Sequence, residues 1–146
     1  MTTPESYGQF GQTLAFAERT LTEVLRRHLA QRGIVPETWY ALKLIATQGP
    51  GLSRRTLTDN LARSRSLDPD STSTLLVRLE AEGLIRGEME VDLTEDGGIL
   101  YRSLQEFVTR PTAELLNHFA IDDINTTVRT LQGITQRALE DLEVAN

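Results

Sequence analysis

The chain has 146 residues, a formal net charge of −6 and no cysteine. This length is enough for one domain with a real core, and the missing cysteines exclude disulfides, thiol redox sensing and thiolate metal sites. No apolar run approaches the ~20 residues that span a bilayer, and residues 1–12 lack the basic start and apolar stretch of a signal peptide. We therefore expect a single-domain cytoplasmic protein without a membrane partner.

The acidic net charge argues weakly against nucleic acid, but the distribution of charge matters more than its total. Lys43 is the only lysine, and six arginines fall in residues 53–86. Five acidic residues in the same stretch leave it with a net charge of only +1. The preference for arginine over lysine is also what genome base composition can produce. The basic stretch comprises Arg54, Arg55, Arg63, Arg65, Arg78 and Arg86.

Four helices are predicted in the first half of the chain. Apolar residues recur at three- and four-residue steps over 9–32, which predicts a long amphipathic helix that ends at Gly33. Pro36 opens a second helix that stops at residues 49–51. Leu52 is expected to make a single-residue strand contact, and Ser53 is a candidate N-cap for a third helix. A fourth helix follows.

The stretch 67–93 predicts that capped fourth helix and then a hairpin. Asp68 is a good N-cap and Pro69 a good first helical residue, whereas Gly83 can end the helix. One helical face is apolar, with Thr72, Leu75, Leu76 and Leu79, and the opposite face is polar. Beyond a turn at Gly87, the alternation of Met89, Val91 and Leu93 with acidic residues indicates a half-buried strand paired with residues 84–86.

Two amphipathic helices are predicted after the hairpin. Thr94 can cap the first, which Pro111 should bend or interrupt, and the second starts at Asp122. Long apolar stripes on the helices at both ends of the chain would be exposed to water in a monomer, so we expect a homodimer. The alternative is that the first and last helices pack on each other within one chain. The expected dimerisation residues are Phe10, Leu14, Phe119, Ile124, Val128, Leu131 and Leu142.

The order of these elements resembles the winged helix-turn-helix of the MarR family of bacterial transcription regulators. The matching residues are Asp68-Pro69, Leu75, Arg78-Leu79-Glu80-Ala81, Gly83-Leu84-Ile85 and Leu93-Thr94. The resemblance implies a mainly α fold with long terminal dimerisation helices and a short two-stranded hairpin. It also implies a DNA-binding lobe at 36–93, dimerisation helices in 1–35 and 94–146, and recognition helices about 34 Å apart on double-stranded DNA.

On the matching positions, the resemblance puts Ser71, Ser73 and Thr74 in the major groove, with Arg78 reaching backbone or base edges. Arg54 and Arg55 become candidate phosphate contacts, helped by the amides of a helix N-terminus. The segment 63–66, with Arg63 and Arg65, either extends the third helix by a turn or forms a basic loop near phosphates. Arg86 in the hairpin completes the basic set.

MarR-like proteins often bind small aromatic or amphipathic anions, and such an effector could be held by His28, Trp39, Tyr40 and Tyr101. The alternative is that these four side chains are ordinary core. Neither histidine has metal-site spacing, and no nucleotide loop or nucleophile motif is present. We expect no cofactor, no metal and no enzymatic activity.

The hairpin departs from the family pattern. MarR-like wings usually project a loop with basic residues towards the minor groove, but residues 86–90 leave no room for it, and Glu88 and Glu90 would repel phosphate. We expect a regulator that reads DNA mainly through its fourth helix, and the resemblance implies that it is a repressor. The alternative is a winged-helix dimer that binds a protein partner, as an antirepressor or scaffold, with weak or no DNA binding.

Overall fold

A computed structural model describes residues 3–65 and 67–145 of the chain. Ser66, the last residue of the predicted basic segment, lies outside the described residues. The chain divides into two compact units, Met1–Val108 and Thr109–Asn146. The elements are α1 (Glu5–Ala30), α2 (Pro36–Gln48), β1 (Leu52–Ser53), α3 (Arg54–Arg65), α4 (Pro69–Ala81), β2 (Ile85–Arg86), β3 (Glu90–Leu93), α5 (Glu95–Leu116) and α6 (Ile121–Ala145).

The core of the first unit is aliphatic and brings α1 to α5 together with the sheet. Its fully buried side chains include Leu29, Leu42, Leu57, Leu61, Leu79, Val91 and Leu104. The predicted apolar face of α4 is confirmed, since Thr72, Leu75, Leu76 and Leu79 are all buried. Val77 on the opposite face is 62% exposed. The sequence pattern therefore orients α4 correctly.

The three strands form one antiparallel sheet in the order β1-β3-β2. Leu52 pairs with Val91 and Ser53 with Glu90, so the contact predicted at Leu52 extends over two residues. Ile85 pairs with Leu93 on the other edge of β3. This sheet fixes the hairpin against the start of α3.

The prediction that Met89 is a half-buried strand residue is wrong. Met89 precedes β3 and is 84% exposed, whereas Val91 is fully buried. The reason is the turn at Gly87, which has a φ of 108° and delays the strand until Glu90. Alternation from the sequence therefore holds only from Glu90 onwards.

Two helix predictions need correction. α1 begins at Glu5 rather than residue 9, because its first turn carries no apolar periodicity that a sequence pattern can detect. The predicted interruption at Pro111 is wrong, since α5 continues to Leu116, whereas the alternative, a bend at Pro111, stays a prediction. A proline removes one amide hydrogen bond, and a long helix keeps those of the turns on either side.

The second unit consists of the end of α5 and the whole of α6. None of the side chains of α6 is buried, although its apolar residues recur on one side. Within residues 3–65 and 67–145, no helix combines the length and apolar character needed to cross a membrane.

Candidate nucleic-acid interface

The N-terminus of α4 is capped as the sequence predicts. The Asp68 carboxylate accepts hydrogen bonds from the Ser71 amide at 2.7 Å and from the Ser71 hydroxyl at 3.2 Å. The hydrogen bond from the Ser71 amide lowers the pKa of Asp68, with a smaller contribution from the hydroxyl. The Ser71 hydroxyl is thus already engaged by the cap, which separates it from the other two predicted groove residues.

The outward face of α4 is exposed along its length. Ser73, Thr74 and Val77 lie on this face, away from the buried apolar residues. Hydroxyls donate and accept hydrogen bonds, and the apolar Val77 can contact a thymine methyl. The side chains are short, so the surface they present must come close to any partner before it makes contact.

Arg78 is directed towards α2 rather than wholly towards solvent. Its Nη2 donates a hydrogen bond to Thr38 Oγ1 at 2.5 Å, and its Nε lies 3.9 Å from Glu82 Oε1. Thr38 is 4% exposed, so one end of this bond is inside the core. The predicted base or backbone contact is therefore also a tie between α4 and α2.

Arg54 has protein partners for its side chain and its amide. The guanidinium donates to Gly87 O from Nε at 3.0 Å and from Nη2 at 2.9 Å, and it pairs with Glu80. The Arg54 amide donates to Met89 O, and the Thr56 amide donates to Ser53 Oγ. Two of the amides at the start of α3, where phosphate contacts were predicted, are therefore already occupied.

Of the other four arginines of the predicted site, three are exposed on the surface and the fourth packs on an aromatic ring. Arg55, Arg63 and Arg86 are exposed, and Arg86 lies opposite Asp92 across the hairpin. Arg65 lies with its guanidinium carbon 3.6 Å from the centre of the Tyr40 ring and its Nη1 3.4 Å from Glu18 Oε1. Because α3 reaches Arg65, the first of the two predictions for this segment, a longer helix, holds for the described residues.

The hairpin turn is short, and its exposed side chains are acidic. A Cβ at Gly87 would lie 1.9 Å from the Glu90 carbonyl oxygen, so only glycine fits this turn. Glu88 and Glu90 are exposed on either side of Met89. The predicted truncated, acidic wing is present as a structural hairpin.

The four predicted effector residues have packing partners. Trp39 stacks on Tyr101 at 5.7 Å between ring centroids, and His28 meets the edge of Phe107 at 6.3 Å. Trp39 is only 4% exposed, and Tyr40 is covered by Arg65. A groove on α1 is lined by Phe16, Arg19, Thr20, Glu23, Val24 and Arg27, and none of the four residues contributes to it.

No protein-family model and no curated protein matches the sequence. Solved structures do match. A Mycobacterium tuberculosis MarR family protein in complex with DNA aligns with a TM-score of 0.67 and 23% identity over 91% of this chain and 98% of its own. A MarR transcriptional regulator from Methanosarcina mazei aligns with a TM-score of 0.74 and 18% identity over 92% of this chain and 98% of its own.

The chain has the MarR fold. The same M. tuberculosis protein in complex with salicylic acid aligns with a TM-score of 0.69 and 22% identity over 91% of this chain and 99% of its own. In these comparisons the match extends over more than nine tenths of this chain, which confirms the predicted fold class. At such identities the likeness concerns the course of the backbone, and the chemistry of the interface must come from this chain's own residues.

Sequence reasoning missed Thr38, Glu80 and Gly87 as partners of the predicted site arginines. Gly87 is separated from Arg54 by 33 positions, and Thr38 from Arg78 by 40 positions. No local spacing signals such contacts. Among the described residues, no group of three or more metal-ligating side chains comes together.

Proposed function

We propose that the protein is a sequence-specific DNA-binding transcription regulator that acts as a homodimer, with α4 as the recognition helix. The observation that carries this proposal is the exposed outer face of a capped α4, held by its buried face in a MarR fold. Helix-turn-helix proteins place such a face in the major groove. The residues that would contact base edges, once the helix lies close to the groove, are Ser73, Thr74 and Val77.

In this proposal the exposed arginines bind the DNA phosphates. Arg55 and Arg63 lie on α3 and Arg86 on β2, and none of the three is drawn into the ties that hold Arg54 and Arg78. Arginine forks suit phosphate oxygens. Because Glu88 and Glu90 oppose phosphate at the wing, the protein would bind DNA without a minor-groove contact there.

The domain organisation proposed for this function is a lobe at 36–93 with dimerisation helices in 1–35 and 94–146. Each terminal helix supports it separately. In α1, Phe10 and Leu14 are 41% and 42% exposed. In α6, Val128 and Leu142 are 48% and 62% exposed. Such apolar side chains, repeated along a helix, are typical of a surface that a partner covers.

The dimer is tested by sedimentation equilibrium on Leu14→Asp and Val128→Asp. A charge in a buried interface costs several kcal/mol, so both variants should shift the protein towards monomer and reduce DNA affinity. Ala62→Asp, an exposed change on α3, is the control. A monomeric wild type would overturn the dimer and favour packing of the terminal helices within one chain.

Repression and control by a small aromatic anion form the finer part of the proposal. A dimer on promoter DNA excludes polymerase, and a ligand that prefers one spacing of the recognition helices lowers DNA affinity only by its differential affinity. The salicylic acid complex of the M. tuberculosis MarR family protein supports the ligand class. Salicylate should weaken DNA binding in a concentration-dependent way, and an unchanged DNA affinity at saturation would remove this class of effector.

The DNA function is tested by measuring affinity for a DNA fragment from upstream of the protein's own gene, at salt concentrations between about 50 and about 200 mM. A scrambled fragment of equal length is the control. Ser73→Ala with Thr74→Ala should reduce the preference for the specific fragment. Arg55→Ala should lower the salt slope by about one unit for each lost phosphate contact, which is about two units for a dimer with one Arg55 in each lobe. Arg137→Ala on α6 makes the same charge change outside the lobe and should leave the slope unchanged.

A protein-binding winged helix is the second candidate function. The exposed Met89 between Glu88 and Glu90 favours it, because an apolar residue flanked by acidic ones suits a basic protein surface better than phosphate. Equal binding to specific and scrambled fragments, or no binding at about 50 mM salt, would favour this candidate, since electrostatic contacts are strongest at low salt.

A further inference from the structure

We infer that Arg54 is a positioning residue for DNA reading, clamping the hairpin turn and α4 to the start of α3 through Gly87 and Glu80. This inference rests on the proposed DNA function and assigns Arg54 a role other than phosphate contact. The pairing of a backbone carbonyl and a carboxylate on one guanidinium carries it.

Arg54 joins three elements that are separate in sequence. Its Nε and Nη2 both donate to Gly87 O, the first residue of the hairpin turn. The same guanidinium pairs with Glu80 in the last turn of α4, and the Arg54 amide donates to Met89 O at 2.9 Å. The side chains of Arg54 and Glu80 are 28% and 39% exposed, so the clamp lies at the surface but is partly shielded from water.

The hairpin needs such a clamp because its own pairing is limited. β2 has only two residues, and β3 has four. A ladder this short leaves the turn weakly held, whereas a charge-assisted contact fixes the position of its first carbonyl. The other contact of α4 made by an arginine, from Arg78 to Thr38, is directed to α2. Arg54 therefore fixes the position of the recognition helix relative to the hairpin.

DNA reading by this chain depends strongly on the position of α4. Ser73 and Thr74 have short side chains, and the wing is acidic, so base contacts depend on how closely the helix approaches the groove. A small displacement of α4 loses those contacts, whereas longer side chains would adjust. Loosening the clamp should therefore reduce specific binding while the phosphate contacts remain.

The decisive variant is Glu80→Gln, because the two roles of this region predict opposite results. It removes a negative charge from the DNA-binding lobe, so electrostatics alone predicts tighter DNA binding. The clamp predicts weaker binding to the specific fragment, by about threefold, because a neutral partner holds Arg54 less firmly. Asp59→Asn, on the exposed side of α3, makes the same charge change outside the clamp and is the matched control.

Arg54→Lys provides the second discrimination. Lysine keeps the positive charge but lacks the planar fork that meets Gly87 O and Glu80 together. The clamp predicts that specific affinity falls about tenfold while the salt slope stays that of wild type. A phosphate contact predicts near wild-type affinity for the lysine variant and a reduced slope for Arg54→Ala.

Hydrogen exchange without DNA tests the clamp independently. Glu80→Gln and Arg54→Lys should speed amide exchange in residues 85–93 and leave α2 unchanged, which also shows that the variants fold. Unchanged exchange in the hairpin, or a Glu80→Gln variant that binds as tightly as Asp59→Asn, would overturn the clamp. If wild type does not prefer its own upstream fragment, the proposed function fails and the clamp's role in DNA reading fails with it. Selective wild-type binding with the contrary variant results overturns the clamp alone.

Discussion

Arg65 covers the ring of Tyr40, with its guanidinium carbon 3.6 Å from the ring centre. The same guanidinium lies 3.4 Å from Glu18 on α1. The last turn of α3 is thereby attached to both α1 and α2, which the sequence assigned to different parts of the molecule. Burial raises the pKa of Tyr40, and the positive charge of Arg65 acts in the opposite direction.

Replacing Arg65 should destabilise the fold through this contact. Arg65→Ala removes a cation–π contact worth about 0.5–1 kcal/mol, and urea denaturation should show a loss of that size. Arg63→Ala, an exposed change on the same helix, should leave the urea midpoint unchanged. Equal effects of the two substitutions would contradict the contact.

The cap of α4 should make stability depend on acid pH. The hydrogen bonds from Ser71 hold the pKa of Asp68 below its ordinary value of 3.8. A lowered pKa in the folded state means that the stabilisation is present above the unfolded value and is lost as pH falls through the folded one. Asp68→Asn can still cap the helix but cannot titrate, so its urea midpoint should fall less between about pH 5 and about pH 3. Parallel pH profiles for the variant and wild type would contradict this role of the carboxylate.

Local signals made α4 and the start of α5 predictable. Asp68-Pro69 marks the helix start, the spacing of Leu75 and Leu79 marks the buried face, and Thr94 caps α5 through the Gly97 amide. Each of these signals lies within a few residues of the structure it specifies. The fold could therefore be predicted from the sequence, and the resemblance to MarR regulators supplied the arrangement of elements.

The partners of the site arginines could not be predicted in this way. Arg54 and Arg78 carry the same charge as Arg55, and nothing near them in sequence distinguishes a residue that binds within the protein from one that faces solvent. The difference arises when α2, α3, α4 and the hairpin come together, because Thr38 and Gly87 then supply acceptors. All the predicted DNA contacts stay predictions, those of Arg54, Arg65, Ser71 and Arg78, which have partners within the protein, as well as those of Arg55, Arg63, Ser73, Thr74 and Arg86.

Neighbouring glycines at the start of α5 should respond in opposite ways to alanine. A Cβ at Gly97 would lie 1.9 Å from the Leu84 carbonyl oxygen, whereas one at Gly98 would meet only the flexible end of Arg102 at 3.4 Å. Gly97→Ala should therefore destabilise the protein by about 1–3 kcal/mol, because backbone must move. Gly98→Ala should be neutral or stabilise it by up to about 1 kcal/mol through helix propensity. Thermal denaturation measures both, and similar melting temperatures for the two variants would contradict the close approach of α5 to Leu84.

Thr72 carries a buried hydroxyl on the core-facing side of α4. Its side chain is 1% exposed, and Oγ1 has no hydrogen-bond partner within the part of the chain that the structure describes. Thr72→Val replaces the hydroxyl by a methyl group of similar size, so it should stabilise the protein by about 1 kcal/mol. Thr72→Ser keeps the hydroxyl and loses the methyl, and it should destabilise by about 1 kcal/mol. Urea denaturation distinguishes the pair. A Val variant less stable than wild type would mean that the hydroxyl has a partner, and DNA affinity should be the same for all three proteins because the outer face of α4 is untouched.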